Sequence, residues 1–266
     1  MIPRDPVAPC AEATASPAEE GVCRYLPSPF RGLNATWLKL IAVASMLCDH
    51  FCCVFITLQM HPLRYIGRLA FPIFAFQIAE GASKTKNCGK YALRLLVFAL
   101  LSEVPFDLAF SGKAFDPAYQ NVFFTLFFSL LTLLTMQALE KKGGAWPVLG
   151  LLPLLAGMVI CELLHTDYDW SGVLTICAFY LARKIRGRSG LYYPVLLLIC
   201  LIPCLYWSDY YHTVRFNINE LCAVFAMPVL ALYNGERGRK VNKYVFYAVY
   251  PVHLLLFAAI KLLFFS

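Results

Sequence analysis

Apolar runs of membrane-crossing length recur along this chain from residue 35 almost to its last residue, each separated from the next by a short polar or charged break. A bilayer hydrocarbon core about 30 Å thick takes about 20 helical residues to cross, so such runs constrain the fold more than any other feature of the sequence. Nine are drawn, at 35–58, 64–83, 91–110, 121–139, 145–164, 170–183, 190–208, 218–234 and 243–264, the sixth being the shortest. They lack the two-residue alternation of barrel strands and are too long for them, which sets a β-barrel aside. Composition agrees: 60% of residues are apolar and 15% charged, more apolar and less charged than ordinary soluble domains. The expected fold class is all-α, a polytopic integral membrane helical bundle of about nine transmembrane helices spanning residues 35–266.

Loop charge then sets the expected orientation. Lys84, Lys86 and Lys90 follow the second run, Lys141 and Lys142 the fourth, Arg183, Lys184, Arg186 and Arg188 the sixth, and Arg237, Arg239, Lys240 and Lys243 the eighth. The opposite side holds Asp116 with Lys113, then Glu162, Asp167 and Asp169, then Asp209 with Arg215. The positive-inside rule makes the basic side cytoplasmic, with the N-terminus inside and the C-terminus outside. The net charge of +7 therefore reflects topology and contact with anionic lipid headgroups, and no nucleic-acid partner is expected. Residues 1–34, with Pro3, Pro6, Pro9, Pro17, Pro27 and Pro29 among Ala, Glu and Ser, read as a disordered cytoplasmic tail. That segment has no apolar stretch of signal-peptide type, so the first run is expected to direct insertion. The 11 cysteines include no C-x-x-C pair and read as small packing residues, with no metal site expected.

Ionisable residues inside the runs are the functional candidates, because a charge deep in hydrocarbon costs a few kcal/mol or more unless it has a partner or a task. The stretch LKLIAVASMLCDH places Lys39 at the cytoplasmic edge and His50 near mid-membrane. Eleven helical steps put both on one face with about 16 Å of rise between them. Lys39 alone could snorkel and His50 alone could bond a neighbouring helix. Asp49 beside His50 either holds a ring nitrogen or marks a second polar wall of one cavity. In the second run Arg64 and Arg68 share a face, Gln77 and Glu80 sit at the inner end, and Pro72 frees the Arg68 carbonyl. In the third, Glu103 and Asp107 share a face across Pro105 and would repel unless a cation lies between them; Arg68 is the candidate. Gln120 and Asn121 open the fourth run, where they cap the helix or donate to a substrate carbonyl. The turn YNGERGRK offers Arg237 and Arg239, for topology or for a phosphate, and Tyr247, Tyr250 and His253 form a stripe read as helix packing.

The blocks LKLIAVASMLCDH, RYIGRLAFPIFAFQIAEG, ALRLLVFALLSEVPFDLAF, QNVFFTL, NGERG and VYPVH, in that order over residues 35–264, resemble the TraX family of membrane proteins. That family is similar, more distantly, to transmembrane acyltransferases including acyltransferase family 3 and the heparan-glucosaminide acetyltransferases. Their first helix carries a basic residue, ten intervening residues and a histidine, a spacing that Lys39 and His50 match. The resemblance implies an acetyl-CoA-dependent acetyltransferase whose acceptor is a pilin N-terminus or another peptide or glycan. Lys39, Arg237 and Arg239 would approach the coenzyme A phosphates. His50 would be the catalytic histidine, as general base or as the nucleophile that carries the acyl group, with Asp49 or Glu80 orienting its ring. The resemblance carries over no role for the charged residues of the second and third runs; by depth and facing alone, the acceptor would enter past Arg68, Glu103, Asp107, Gln120 and Asn121. The competing classes are a proton-coupled transporter and a scaffold for pilin assembly.

Overall fold

The computed structural model describes residues 32–56, 61–143, 149–186, 189–208, 213–239 and 241–264. The proline-rich tail to residue 31 and the loop residues Arg188, Asp209 and Lys240 lie outside the described residues. Asn34 starts the first helix by accepting the backbone N–H groups of Thr36 at 3.1 Å and Trp37 at 3.2 Å. Helix α1 (Ala35–Phe51) then runs into a wide π turn, Cys52–Ile56, which begins two residues after His50. The NGERG turn is seated on the start of α1: the Leu33 N–H donates to Leu232 O at 2.8 Å and the Ala35 N–H to Glu236 O at 2.9 Å. The Thr36 hydroxyl donates to the carbonyls of Arg237 at 3.2 Å and Arg239 at 3.1 Å.

The expected second span is two helices, α2 (Pro62–Gly67) and α3 (Ala70–Lys84), broken at Arg68 and Leu69. Pro72 contributes to the break, since it has no N–H to return to the Arg68 carbonyl. Gly67 lets α2 approach α1, because a Cβ there would collide with the Asp49 side chain. Next come α4 (Cys88–Phe110), capped by Asn87 and carrying Pro105 inside it, α5 (Val122–Lys142), α6 (Leu151–Leu163) and α7 (Asp169–Ala182). Between α6 and α7 the non-glycine residues His165, Tyr168 and Asp169 all have positive φ, a run of strained backbone of the kind that collects at functional sites.

The expected seventh and eighth spans are interrupted. Helix α8 (Ser189–Leu201) passes through a 3₁₀ turn into an antiparallel hairpin, β1 (Leu205–Ser208) with β2 (Thr213–Phe216), in which Leu205 pairs with Phe216. A 3₁₀ segment, Ile218–Phe225, leads to α9 (Ala226–Ala231), and α10 (Lys243–Phe264) closes the chain against α4.

The bundle is apolar inside and outside. Leu38, Phe76, Leu130, Leu133, Ile176, Phe179 and Leu254 are buried at its centre, while Leu100, Leu101, Leu152 and Leu198 are 60–63% exposed on its rim. Water penalises so many exposed leucines on several helices, whereas lipid chains do not. Among the described residues three helices are long and apolar enough to cross a membrane: Ala35–Ile56, Val122–Lys142 and Tyr244–Phe264. Helix α4 is long enough at 23 residues but carries Lys90, Arg94, Glu103 and Asp107. Helices α6 and α8, at 13 residues each, rise about 20 Å. The structure is thus a membrane-type helical bundle, with shorter and more broken elements than nine uninterrupted spans.

Candidate functional site

One cavity of about 1140 Å³ runs through the bundle between α1, α3, α4, α5 and α10. Lys39, Lys84, Arg94 and Arg237 line it at one end, His50 and Tyr250 in the middle, and Asp107, Asp116, Tyr119 and Asp167 toward the other end. Lys39 and His50 share this space, as their common helical face requires, and the Lys39 ammonium sits over the Phe246 ring at 5.2 Å from its centre.

His50 meets α10. Its Nδ1 lies 2.7 Å from Nε2 of His253, and the Nδ1 of His253 lies 2.6 Å from the carbonyl oxygen of Val249. A carbonyl only accepts, so with both rings neutral His253 carries its proton on Nδ1 and its Nε2 is an acceptor. His50 must then donate from Nδ1, which leaves the lone pair on its Nε2. The chain Val249–His253–His50 thus fixes one tautomer of a cavity-lining imidazole, the arrangement a general base requires. The rings of Phe110 and Tyr250 stand edge-on to His50 at 5.5 and 5.6 Å, restricting its rotation.

Asp49 does not hold this ring. Consecutive helical residues point about 100° apart, so Asp49 faces α2 while His50 faces α10. Its carboxylate pairs with Arg64 at 3.2 Å and Arg68 at 3.1 Å, forming the second polar wall of the cavity. Glu80 does not orient the ring either: it is bonded to Lys84 at 2.9 Å, Arg186 at 2.7 Å and Arg183 at 3.3 Å at the C-terminal end of α3.

The expected pairing of Arg68 with Glu103 or Asp107 is also corrected. The break at Arg68 and Leu69 carries the guanidinium to Asp49 and to Glu220, on the 3₁₀ segment. Glu103 instead accepts from the Asn121 amide, and Asp107 from the backbone N–H of Asp116 at 2.7 Å. Local donors therefore separate the two carboxylates without a shared cation. Asn121 is fully engaged: its oxygen accepts the Phe123 N–H at 3.1 Å and its nitrogen also donates to Ala99 O at 2.9 Å. Gln120 donates to Pro117 O at 3.2 Å and pairs by its backbone with the loop at Thr166. The Asn121 amide is thus committed to holding α4 and capping α5, whereas Gln120 spends one N–H on the loop that precedes α5. Lys39, Asp49, His50, Arg68, Glu80, Asp107 and Arg237 line the cavity; Glu103, Gln120, Asn121 and Arg239 are not among its lining residues.

Several lining or supporting residues were absent from the sequence-derived set. Glu220 could have been found, since it is the sole acid in the run 218–234. His253 and Tyr250 were visible only as a stripe of ordinary packing appearance. Asp167, presented by the strained loop, accepts from the Tyr119 hydroxyl at 3.0 Å. Burial pushes its carboxyl up to about 6, against the opposing pull of Tyr119 and Arg68, and the Tyr119 hydroxyl is raised by burial and by Asp167. Among the described residues no group of three His, Cys, Asp or Glu side chains is placed to hold a metal ion.

Against known proteins, the family described as TraX protein matches residues 34–261, nearly the whole described chain. The chain belongs to the TraX family. It is also similar to the probable fimbrial assembly protein FimC, serogroup H1, of Dichelobacter nodosus, at 26% identity over 248 residues, covering 86% of this chain and 96% of that protein. No solved structure matches.

Proposed function

We propose that this TraX-family protein is a membrane-embedded acetyltransferase. It moves an acetyl group from cytoplasmic acetyl-CoA to an amine or hydroxyl on a membrane or extracytoplasmic acceptor, and the fimbrial assembly relative points to a pilin-type subunit. The observation that carries this reading is a cavity that joins Lys39 to a His50 ring held in the tautomer of a general base. The Lys39-to-His50 spacing, which resembles that in the first helix of acyltransferase family 3 proteins, is in keeping with the same chemistry. On this reading the helices cross an inner membrane about nine times, with the Lys39 end cytoplasmic.

The residues present suit the co-substrate. Lys39, Lys84, Arg94 and Arg237 supply cations for its phosphates, and the rise of about 16 Å from Lys39 to His50 matches an extended pantetheine arm. Bound there, acetyl-CoA supplies a thioester carbonyl to the centre of the bundle. His50 Nε2 takes the proton of the acceptor as its nitrogen or oxygen attacks that carbon, and returns it to the thiolate as the carbon–sulfur bond breaks. The Nδ1–H bond to His253 stabilises the imidazolium in between.

Release of free coenzyme A tests the proposal. Purified protein in lipid is supplied with acetyl-CoA and, in turn, an unblocked peptide, a glycan bearing free hydroxyls, and octylamine. Acceptor-dependent thiol release, lost in His50→Ala, is expected. A transporter or an assembly scaffold releases none with any of the three, and that result overturns the reading.

A further inference from the structure

Tyr250 is 3% exposed, yet it lines the central cavity beside His50. Its hydroxyl makes no hydrogen bond among the described residues. Such a group is unusual, since a buried hydroxyl without a partner costs about 1–3 kcal/mol. The ring itself is firmly placed. It stands edge-on to Phe123 at 5.2 Å, to His50 at 5.6 Å and to His253 at 5.8 Å. The backbone N–H of Val122 lies against its oxygen without completing a bond that meets ordinary geometry. That N–H belongs to the first turn of α5, a 21-residue helix whose start carries partial positive charge. Asn121 caps the Phe123 N–H, leaving Val122 as the first-turn donor nearest the phenol.

An unspent O–H beside the base of a cavity, next to the positive end of a long helix, is the arrangement that stabilises charge developing on a carbonyl oxygen. We infer that Tyr250 is a catalytic residue, donating its hydroxyl hydrogen to the carbonyl oxygen of the acyl group with the start of α5 behind it. As the acceptor lone pair forms the new bond to carbon, the carbonyl π pair moves onto oxygen, where Tyr250 meets it. The pair returns as the carbon–sulfur bond breaks, and the phenol keeps its proton throughout. His50 and Tyr250 therefore divide the work: one handles the proton, the other the oxygen. This assignment rests on the acetyltransferase reading, and its test separates the two.

Tyr250→Phe keeps the ring contacts and removes only the donor. Loss of one such donor lowers kcat about 100-fold, with KM for acetyl-CoA within about threefold of wild type. Replacement by para-aminophenylalanine, which still donates an N–H, recovers part of that loss. A second readout needs no turnover: the infrared carbonyl stretch of carbonyl-¹³C acetyl-CoA bound to His50→Ala lies at lower frequency than when bound to His50→Ala with Tyr250→Phe. If kcat in Tyr250→Phe stays near wild type, or the two stretches coincide, Tyr250 is not the donor while the role of His50 stands. If acetyl-CoA does not bind and wild type releases no coenzyme A, both assignments fall.

Discussion

Replacing His253 by leucine isolates what the second imidazole does for the first. The 2.7 Å contact gives the His50 Nδ1–H its acceptor. Leucine fills similar space but accepts nothing, so that N–H becomes a buried, unpaired donor, at a cost of about 1–3 kcal/mol. The ring escapes the cost by moving its proton to Nε2, where the polar cavity receives it, and that tautomer has no lone pair on the side of the reaction. At about 1.4 kcal/mol per tenfold, the competent tautomer falls by about 5- to 150-fold, and kcat falls with it. KM for acetyl-CoA should hold, because the Lys39 end of the cavity is untouched. His253→Gln retains an acceptor oxygen and should fall between leucine and wild type. The assay is continuous thiol release from protein in lipid discs, with thermal unfolding of each variant confirming an intact bundle. A folded His253→Leu protein turning over at the wild-type rate, alongside an inactive His50→Ala, would refute the tautomer argument.

Three further outcomes are expected. Lys39→Ala should raise Kd for coenzyme A by at least about tenfold, as befits losing one charge-assisted contact, and titration calorimetry showing unchanged affinity would remove Lys39 from the phosphate site. Arg68→Leu leaves Glu220 without its cation and Asp49 with Arg64 alone, so unfolding free energy should drop by about 3–5 kcal/mol; Arg68→Lys should recover part of the Tm, and a Tm equal to wild type in Arg68→Leu contradicts the network. Asp167, with an ordinary value of 3.8 and about 6 in the folded chain, binds its proton more tightly when folded, so its contribution to stability declines as pH rises from about 4 to about 6 and is constant above. Asp167→Asn should flatten that part of the Tm profile, and identical slopes in the two proteins would show that the carboxyl is not so perturbed.

The class of fold was legible because a lipid solvent imposes long apolar runs, and the Lys39-to-His50 face because helical geometry fixes it within one element. Partners between elements were harder. The assignment of Arg68 to Glu103 or Asp107 matched residues by depth alone, and depth does not report which way a broken helix turns its side chains. Pro72 announced a break, but its consequence, a guanidinium directed at Asp49 and Glu220, depends on the 3₁₀ segment Ile218–Phe225, which reads as an ordinary apolar run. His253 was hidden for a different reason: a histidine in a tyrosine stripe looks the same whether it packs or relays a proton, and only the meeting of α1 with α10 decides. Asn121 was legible as a cap because capping is local chemistry; its hold on Glu103 was not, since that bond joins α5 to α4. The strained loop at His165–Asp169 left no signal, as it contains none of the glycines that usually mark positive φ.

The central claim is that one passage joins the Lys39 ammonium to the His50 imidazole and carries coenzyme A between them. A cryo-electron microscopy structure with coenzyme A bound measures this directly. The account predicts phosphate density against Lys39 and Arg237 and the thiol within reach of His50 Nε2, beside Tyr250. Coenzyme A bound elsewhere, or its thiol ending away from His50 with the cavity filled by lipid, would contradict it.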